Sequence, residues 1–243
     1  MTISALIPAR LNSTRLERKL LIDLGGIPLI VRTYQNIISM DLFDEVIVVT
    51  DSKEIIDVLE EYNVKFFRSI KSHNTGTDRV AEFAEELKTD IIVNIQGDEP
   101  FVNRKDLSRI IEEFKMDSTN EVNLISLMIK LKNSNEISNP NNVKVVVDKS
   151  NNAILFSRSS IPFNRSGFKP NFYKHVGVYA FRNTFLKEFA KYHQTPLEKA
   201  EMIEALRVIE NGKKIRMIEV FKEHVSIDTE EDLKIAESIL NKK

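Results

Sequence analysis

Cysteine is absent from the 243 residues, which excludes disulfides and thiol nucleophiles and fits a reducing compartment. Glycine is scarce, at seven residues, so each is expected where the backbone needs it. No apolar run approaches the ~20 residues of a membrane span. Arg10 arrives too early for a signal-peptide core, so the chain reads as cytoplasmic. Neither sign of charge dominates, since 35 Lys+Arg against 36 Asp+Glu leave a net charge of −1. No global field draws such a chain to nucleic acid or membrane, and an anion site must be a local cluster. The histidines (His73, His175, His193, His224) are scattered without zinc-like spacing. Neither the P-loop nor the glycine triplet of dinucleotide-binding folds follows any strand, which removes the main support for a kinase or a dehydrogenase.

What is present begins at the N-terminus. Ile3–Ile7 reads as a buried strand that stops at Pro8, and Arg10, Ser13, Thr14, Arg15, Arg18 and Lys19 follow. Guanidinium, ammonium and hydroxyl groups gathered after a strand suit a polyanion, because they bind phosphate through charge-assisted hydrogen bonds. The alternative is a solvated basic loop.

Apolar runs alternate with amphipathic stretches through the first half. Strands are expected at Ile3–Ile7, Glu45–Thr50, Val64–Phe67, Asp90–Gln96 and Asn123–Ile129, with helices at Pro28–Met40, Lys53–Tyr62, Asp78–Leu87 and Lys105–Lys115. Alternation of this kind implies right-handed crossovers and a mostly parallel sheet. Ligands in such folds collect at the carboxyl ends of strands, where the Pro8–Lys19 loop, Thr50-Asp51 and Gln96–Pro100 fall. Strands follow at Val143–Asp148, Ala153–Ser157 and His175–Phe181, then a long helix over Pro196–Asn211 capped by Thr195, a strand at Ile215–Val220 and a last helix from Thr229 to Leu240. Thr229 and Asp232 fit a capping box. No linker or repeat interrupts the chain, which reads as one domain over residues 1–243 with an insertion at about 130–190.

Two aspartates stand at strand ends. Asp98, in Gln96-Gly97-Asp98-Glu99-Pro100, reads either as a magnesium ligand or as part of a turn that caps the next helix. Asp228 reads either as an N-cap or as the second carboxylate of the same metal site. Magnesium takes one or two carboxylates and fills its shell with water and substrate phosphates. A basic loop, a metal and two carboxylates together make a nucleoside triphosphate site.

The motifs Ile7-Pro8-Ala9-Arg10, Ser13-Thr14-Arg15, Lys19, Thr75-Gly76-Thr77-Asp78-Arg79 and Gln96-Gly97-Asp98-Glu99-Pro100 resemble those of the sugar-acid cytidylyltransferases. The second half agrees in Asn139-Pro140, Val143-Lys144-Val145-Val146, Phe156–Pro162, His175–Tyr179, Leu197–Arg207 and Asp228–Leu233. The resemblance implies an α/β, three-layer Rossmann-like nucleotidyltransferase fold with a mostly parallel mixed sheet and an inserted dimerisation region. It implies transfer of CMP from CTP, with Mg²⁺, to the anomeric hydroxyl of 3-deoxy-D-manno-octulosonate (Kdo) for lipopolysaccharide or capsule synthesis, in a homodimer; composition and charge add no expectation of nucleic-acid binding or membrane insertion. Arg10, Lys19, Asp98 and Asp228 would be catalytic, the two aspartates holding the metal. Pro8, Ala9, Arg10, Ser13, Thr14, Arg15, Lys19, Thr75, Gly76, Thr77, Arg79 and Gln96 would hold the nucleotide. Gln96, Arg158, Arg165, His175, Tyr179, Glu198 and Glu201 would line the sugar pocket.

Three positions depart from the family pattern. Glu17-Arg18-Lys19-Leu20 stands where Pro-Gly precedes the loop lysine and Pro follows it, which predicts a stiffer loop with a negative charge near the phosphates. Ala205 replaces a glutamine that can hydrogen-bond the sugar, and Phe163 replaces a frequent tryptophan. These changes open two alternatives: a modified acid such as 8-amino-Kdo, or a nucleotide-binding regulator without catalysis. Keeping both Asp98 and Asp228 argues against the second.

Overall fold

The structure, a computed structural model, describes residues 1–243 except 12, 14, 15, 72, 74, 222–224, 242 and 243. The chain divides into two compact units, residues 1–108 with 224–243, and residues 109–223.

The first unit is built from β1 (Ile3–Ala9), α1 (Leu29–Ile38), β2 (Glu45–Thr50), α2 (Lys53–Glu61), β3 (Phe66–Arg68), α3 (Gly76–Ala81) and β4 (Ile91–Asn94), and α4 (Arg104–Met116) leads out of it. All seven residues of β1 are buried. That is expected of a parallel strand covered on both faces, which needs a continuous apolar run and not an alternating one. β1 pairs in parallel with β2 on one side and β4 on the other, and β2 pairs in parallel with β3. The order β3-β2-β1-β4 sets the carboxyl ends of all four strands along one edge. Helix α2 starts where Ser52 Oγ accepts from the Ile55 amide at 3.3 Å, and it buries Ile55, Ile56 and Leu59 against the sheet.

The second unit holds β5 (Leu124–Lys130), α5 (Ser134–Ser138), β6 (Lys144–Val147), β7 (Ala153–Ser157), β8 (Tyr173–Arg182), α6 (Asn183–Phe189), α7 (Pro196–Glu201), α8 (Ala205–Glu210) and β9 (Arg216–Val220). Its pairing is mixed: β5 runs parallel to β9 and antiparallel to β8, and β6 runs antiparallel to β7 and β8. Phe181 sits in an aromatic cluster with Phe185 and Phe189 at centroid distances of 6.3 and 5.9 Å. The chain then returns to the first unit with α9 (Glu230–Leu240). The capping box expected there forms, with the Asp232 amide donating to Thr229 Oγ1 at 3.2 Å and the Thr229 amide to Asp232 Oδ2 at 2.9 Å.

Two helices differ from expectation. The long helix over Pro196–Asn211 is two short ones, because Met202 takes a left-handed conformation (φ 54°, ψ 48°) that ends α7. The helix expected over Asp78–Leu87 starts two residues earlier, capped by Thr75 Oγ1, and is α-helical only to Ala81. Beyond it, Phe83 and Ala84 donate to carbonyls three residues back, a tighter turn than the α-helix. Among the described residues no helix is long and apolar enough to cross a membrane.

Candidate active site

The carboxyl edge of the first unit carries a cavity of about 700 Å³ whose lining includes Pro8, Ala9, Arg10, Ser13, Arg18, Lys19, Thr75, Gly76, Arg79, Gln96, Asp98 and Asp228. After β1 ends at Ala9, the chain turns through a 3-10 segment at Lys19–Leu21. This turn points Lys19 inward, where it is 9% exposed. Its ammonium donates to Asp98, at the end of the β4 edge, and to Asp228 Oδ1 at 2.8 Å. Asp228 arrives from far along the chain because the Ile227 amide donates to the Asp98 carbonyl at 3.0 Å. Burial pushes the Lys19 pKa down, but the Asp98 and Asp228 charges and hydrogen bonds more than offset it and leave the pKa raised. Lys19 therefore keeps its proton, and its role is that of a fixed positive charge, not a base.

Several of the residues expected for the nucleotide line this one cavity. Gly76 sits where a side chain would collide: an added Cβ would lie 3.2 Å from Gln96 Oε1 and 3.2 Å from Pro8 Cγ. Glycine thus lets three motifs, Pro8-Ala9, Thr75–Arg79 and Gln96, close on one another. Arg79 is 6% exposed and pairs with Asp51 at 2.7 Å. The Arg79 hydrogen bond holds the Asp51 carboxyl below its ordinary range. Thr77 lies behind the cavity at 1% exposure, its hydroxyl accepting from Asn94 Nδ2 at 3.0 Å. Thr14 and Arg15 lie outside the described residues.

Arg18 takes the left-handed conformation (φ 51°, ψ 31°) that glycine would hold without cost. Its guanidinium bonds Glu54 Oε2 on α2 at 2.5 Å, which gives the strained residue a partner.

The residues expected for the sugar all lie in the second unit except Gln96. Four of them cluster. His175 and Tyr179 sit on β8 with rings 5.2 Å apart, and Phe156 meets His175 at 5.1 Å. Burial pulls the His175 pKa down to about 4. Tyr179 is pushed well up, first by burial and then by the Glu204 charge. Glu201 accepts from Ser157 Oγ at 2.5 Å and from the Arg158 amide at 2.9 Å, and the Arg158 side chain bonds the Glu201 carbonyl at 2.8 Å. Glu198 faces elsewhere: at 2% exposure it makes a two-point pair with Arg207, at 2.8 and 2.6 Å. Arg165 is exposed on the segment before β8.

Sequence reading missed three supporting groups. Lys144 is fully buried, and its ammonium donates to the carbonyls of Asn139 at 3.0 Å, Asn142 at 2.6 Å and Arg158, so one cation ties the Asn-Pro motif to Arg158. Asp51 was legible only as a strand end, although a buried arginine in the Thr75–Arg79 motif needs a carboxylate partner. The third, His73, lines the cavity with its Nε2 2.7 Å from Glu82 Oε2.

Comparison with known proteins fits this geometry. The family model described as Cytidylyltransferase matches residues 4–215. A 3-deoxy-manno-octulosonate cytidylyltransferase of Christiangramia forsetii is 44% identical over 240 residues, 98% of this chain and 97% of that protein. One from Flavobacterium johnsoniae is 46% identical over 243 residues, covering 99% of each. A solved structure of CMP:2-keto-3-deoxy-manno-octonic acid synthetase complexed with CTP superposes with a TM-score of 0.93 at 31% identity, over 100% of this chain and 99% of that one. A 4-diphosphocytidyl-2C-methyl-D-erythritol synthase from Anaerococcus prevotii shares the fold at a TM-score of 0.65 and 18% identity, covering 99% of this chain and 98% of that one. The fold is accordingly the α/β nucleotidyltransferase fold with a mixed, mostly parallel sheet, and the chain belongs to the cytidylyltransferase family, among its 3-deoxy-manno-octulosonate cytidylyltransferases.

Proposed function

We propose that this chain transfers CMP from CTP to the anomeric hydroxyl of Kdo, releasing pyrophosphate and forming the activated sugar used in lipopolysaccharide synthesis. The observation that carries the reading is the clamp of Lys19 between Asp98 and Asp228 inside a cavity rimmed by Arg10 and Arg18, in a chain that matches Kdo cytidylyltransferases along its whole length.

The roles follow from charge and geometry. Arg10, Ser13 and Lys19, with Thr14 and Arg15 from the same loop, hold the triphosphate. Pro8, Ala9, Thr75, Gly76, Thr77, Arg79 and Gln96 hold the nucleoside. The anomeric hydroxyl oxygen attacks the α-phosphorus in line and gives its proton to water, the bond from that phosphorus to the bridging oxygen breaks, and pyrophosphate leaves. Lys19, kept protonated by its carboxylate neighbours, offsets charge that grows on the phosphate oxygens in the transition state. No covalent enzyme intermediate is required, which suits a chain without cysteine.

The carboxylates also fit magnesium. Asp98 and Asp228 already hold one cation between them, and among the described residues no group of three or more His, Cys, Asp or Glu is gathered for a metal. Two carboxylates, with water and phosphate completing the shell, is the set a small hard dication takes. Asp98 and Asp228 would hold Mg²⁺, which when bound neutralises triphosphate charge. Gln96, Arg158, Arg165, His175, Tyr179 and Glu201 are assigned to the sugar acid, with an arginine paired to its carboxylate, whereas Glu198 is buried against Arg207 and holds that arginine instead. A cytoplasmic homodimer formed through the inserted segment at about 130–190, within a single nucleotidyltransferase domain, completes the proposal.

The test is pyrophosphate release with Mg²⁺, CTP and Kdo, run beside UTP, 8-amino-Kdo and N-acetylneuraminate. Release with CTP and Kdo supports the reading. Release only with another acid keeps the mechanism and moves the substrate, and silence with CTP still bound favours a regulator.

A further inference from the structure

We infer that His73, oriented by Glu82, recognises the exocyclic amine of cytosine and makes the enzyme select CTP over UTP. This deepens the proposed function and rests on it. The strand order β3-β2-β1-β4 gives the cavity two sides. Asp98 follows β4 and marks the side where Lys19 and Asp228 gather. His73 follows β3 at the opposite end of that order and lines the same cavity.

The His73 ring is not loose. Its Nε2 is 2.7 Å from Glu82 Oε2. Glu82 is itself fixed, accepting from Ser69 Oγ and from the Ile70 amide at 3.2 Å, and Ser69 is anchored to β2 by its amide, which donates to the Thr50 carbonyl at 2.8 Å. Burial raises the Glu82 pKa, but the bonds from Ser69, His73 and Ile70 outweigh it and the pKa is lowered. An ionised carboxylate only accepts, so the hydrogen in the His73–Glu82 bond sits on Nε2. In the singly protonated ring, Nδ1 is then an acceptor.

That pattern separates the two pyrimidines. Cytosine carries an amine at C4, a donor, where uracil carries a carbonyl oxygen, an acceptor. Nδ1 pairs with the amine, whereas with uracil it meets a second acceptor. Sites that hydrogen-bond a substrate N–H reject an analogue without it strongly, because the buried polar group is left unpaired. Glu82 is the positioning residue, since it sets which nitrogen carries the proton.

The experiment measures kcat/KM with Kdo for CTP, UTP and the triphosphate of 2-pyrimidinone riboside, which lacks the amine, in wild type and His73→Leu. Wild type should lose about a hundredfold or more on losing the amine. In His73→Leu, CTP and the amine-free analogue should come within about threefold of each other, with the CTP–UTP ratio falling alongside. Calorimetric binding of the three nucleotides without Kdo gives the same comparison independently of turnover. Should His73→Leu fold poorly, the wild-type loss with the analogue still decides: an unchanged wild-type rate overturns the inference. Full CTP–UTP discrimination retained in His73→Leu also overturns it. Absence of any wild-type turnover with CTP and Kdo would instead overturn the proposed function, so the two failures are distinct.

Discussion

His175 should make this protein lose stability as pH falls through a defined window. Its ring packs between Phe156 and Tyr179 at 5.1 and 5.2 Å and lies 2.9 Å from Ser126 Oγ. Ser126 Oγ also lies 2.8 Å from the Val178 carbonyl, which can only accept, so the hydroxyl proton goes there and Nε2 donates to the hydroxyl oxygen. Burial holds the folded pKa at about 4, against an unfolded value of about 6.5. Between those values the unfolded chain takes up a proton that the folded chain refuses. The unfolded state then binds more protons, so stability rises with pH across the window and is lost as pH falls from 6.5 towards 4. A difference of about 2.5 units caps the loss at about 3 kcal/mol, and about 2 kcal/mol of it should be expressed by pH 4.5. His175 as a whole residue is half-buried, so that figure is an upper value. The assay is urea unfolding of wild type and His175→Gln at pH 7.0 and 4.5. Carboxylates with lowered pKa values, such as Asp51, Asp117 and Glu201, titrate equally in both proteins and cancel in the comparison. Wild type should lose more stability on acidification than the variant, by up to about 2 kcal/mol. Equal losses would show that the ring is not held neutral and would refute the reasoning.

Other perturbations follow from the same contacts. Asp98→Asn and Asp228→Asn should each lower turnover by about a hundredfold or more, while near-native circular dichroism shows the fold intact; wild-type-like turnover in either would remove the metal assignment. Glu198→Gln removes the carboxylate from the buried two-point pair with Arg207, which is 2% exposed and 4.6 Å above the Phe189 ring, and should cost about 3 kcal/mol, read as a drop in melting temperature that a Glu198→Leu/Arg207→Met double variant largely restores. Met202→Gly relieves a left-handed residue that is 77% exposed and should stabilise by about 1 kcal/mol in denaturant titration; a loss of stability would show that the Met202 side chain supports the break between α7 and α8.

The parts of this fold legible in the sequence were those set by local chemistry. The apolar run Ile3–Ile7 showed the buried strand, although the strand continues through Pro8 to Ala9 and does not stop at the proline, and Thr229 and Asp232 announce their cap because their oxygens satisfy orphan amides. The break at Met202 was hidden because methionine favours helix. The turn there accompanies tertiary demands on Glu201, bound to Ser157 and Arg158, and on Glu198, bound to Arg207. At the site, strand-end motifs gave Lys19, Asp98 and Asp228, but that one ammonium bridges both carboxylates is a three-dimensional fact between residues far apart in sequence. Arg18 carried the opposite lesson: the missing glycine was visible, while its pairing with Glu54 was not.

The most direct test of the account follows the α-phosphorus itself, by phosphorus NMR of purified protein with Mg²⁺, CTP and Kdo. The account predicts that the three CTP resonances give way to one phosphodiester resonance, bonded through oxygen to the Kdo anomeric carbon, and to pyrophosphate in equal amount. An unchanged CTP spectrum, or release of inorganic phosphate with no phosphodiester, would contradict it.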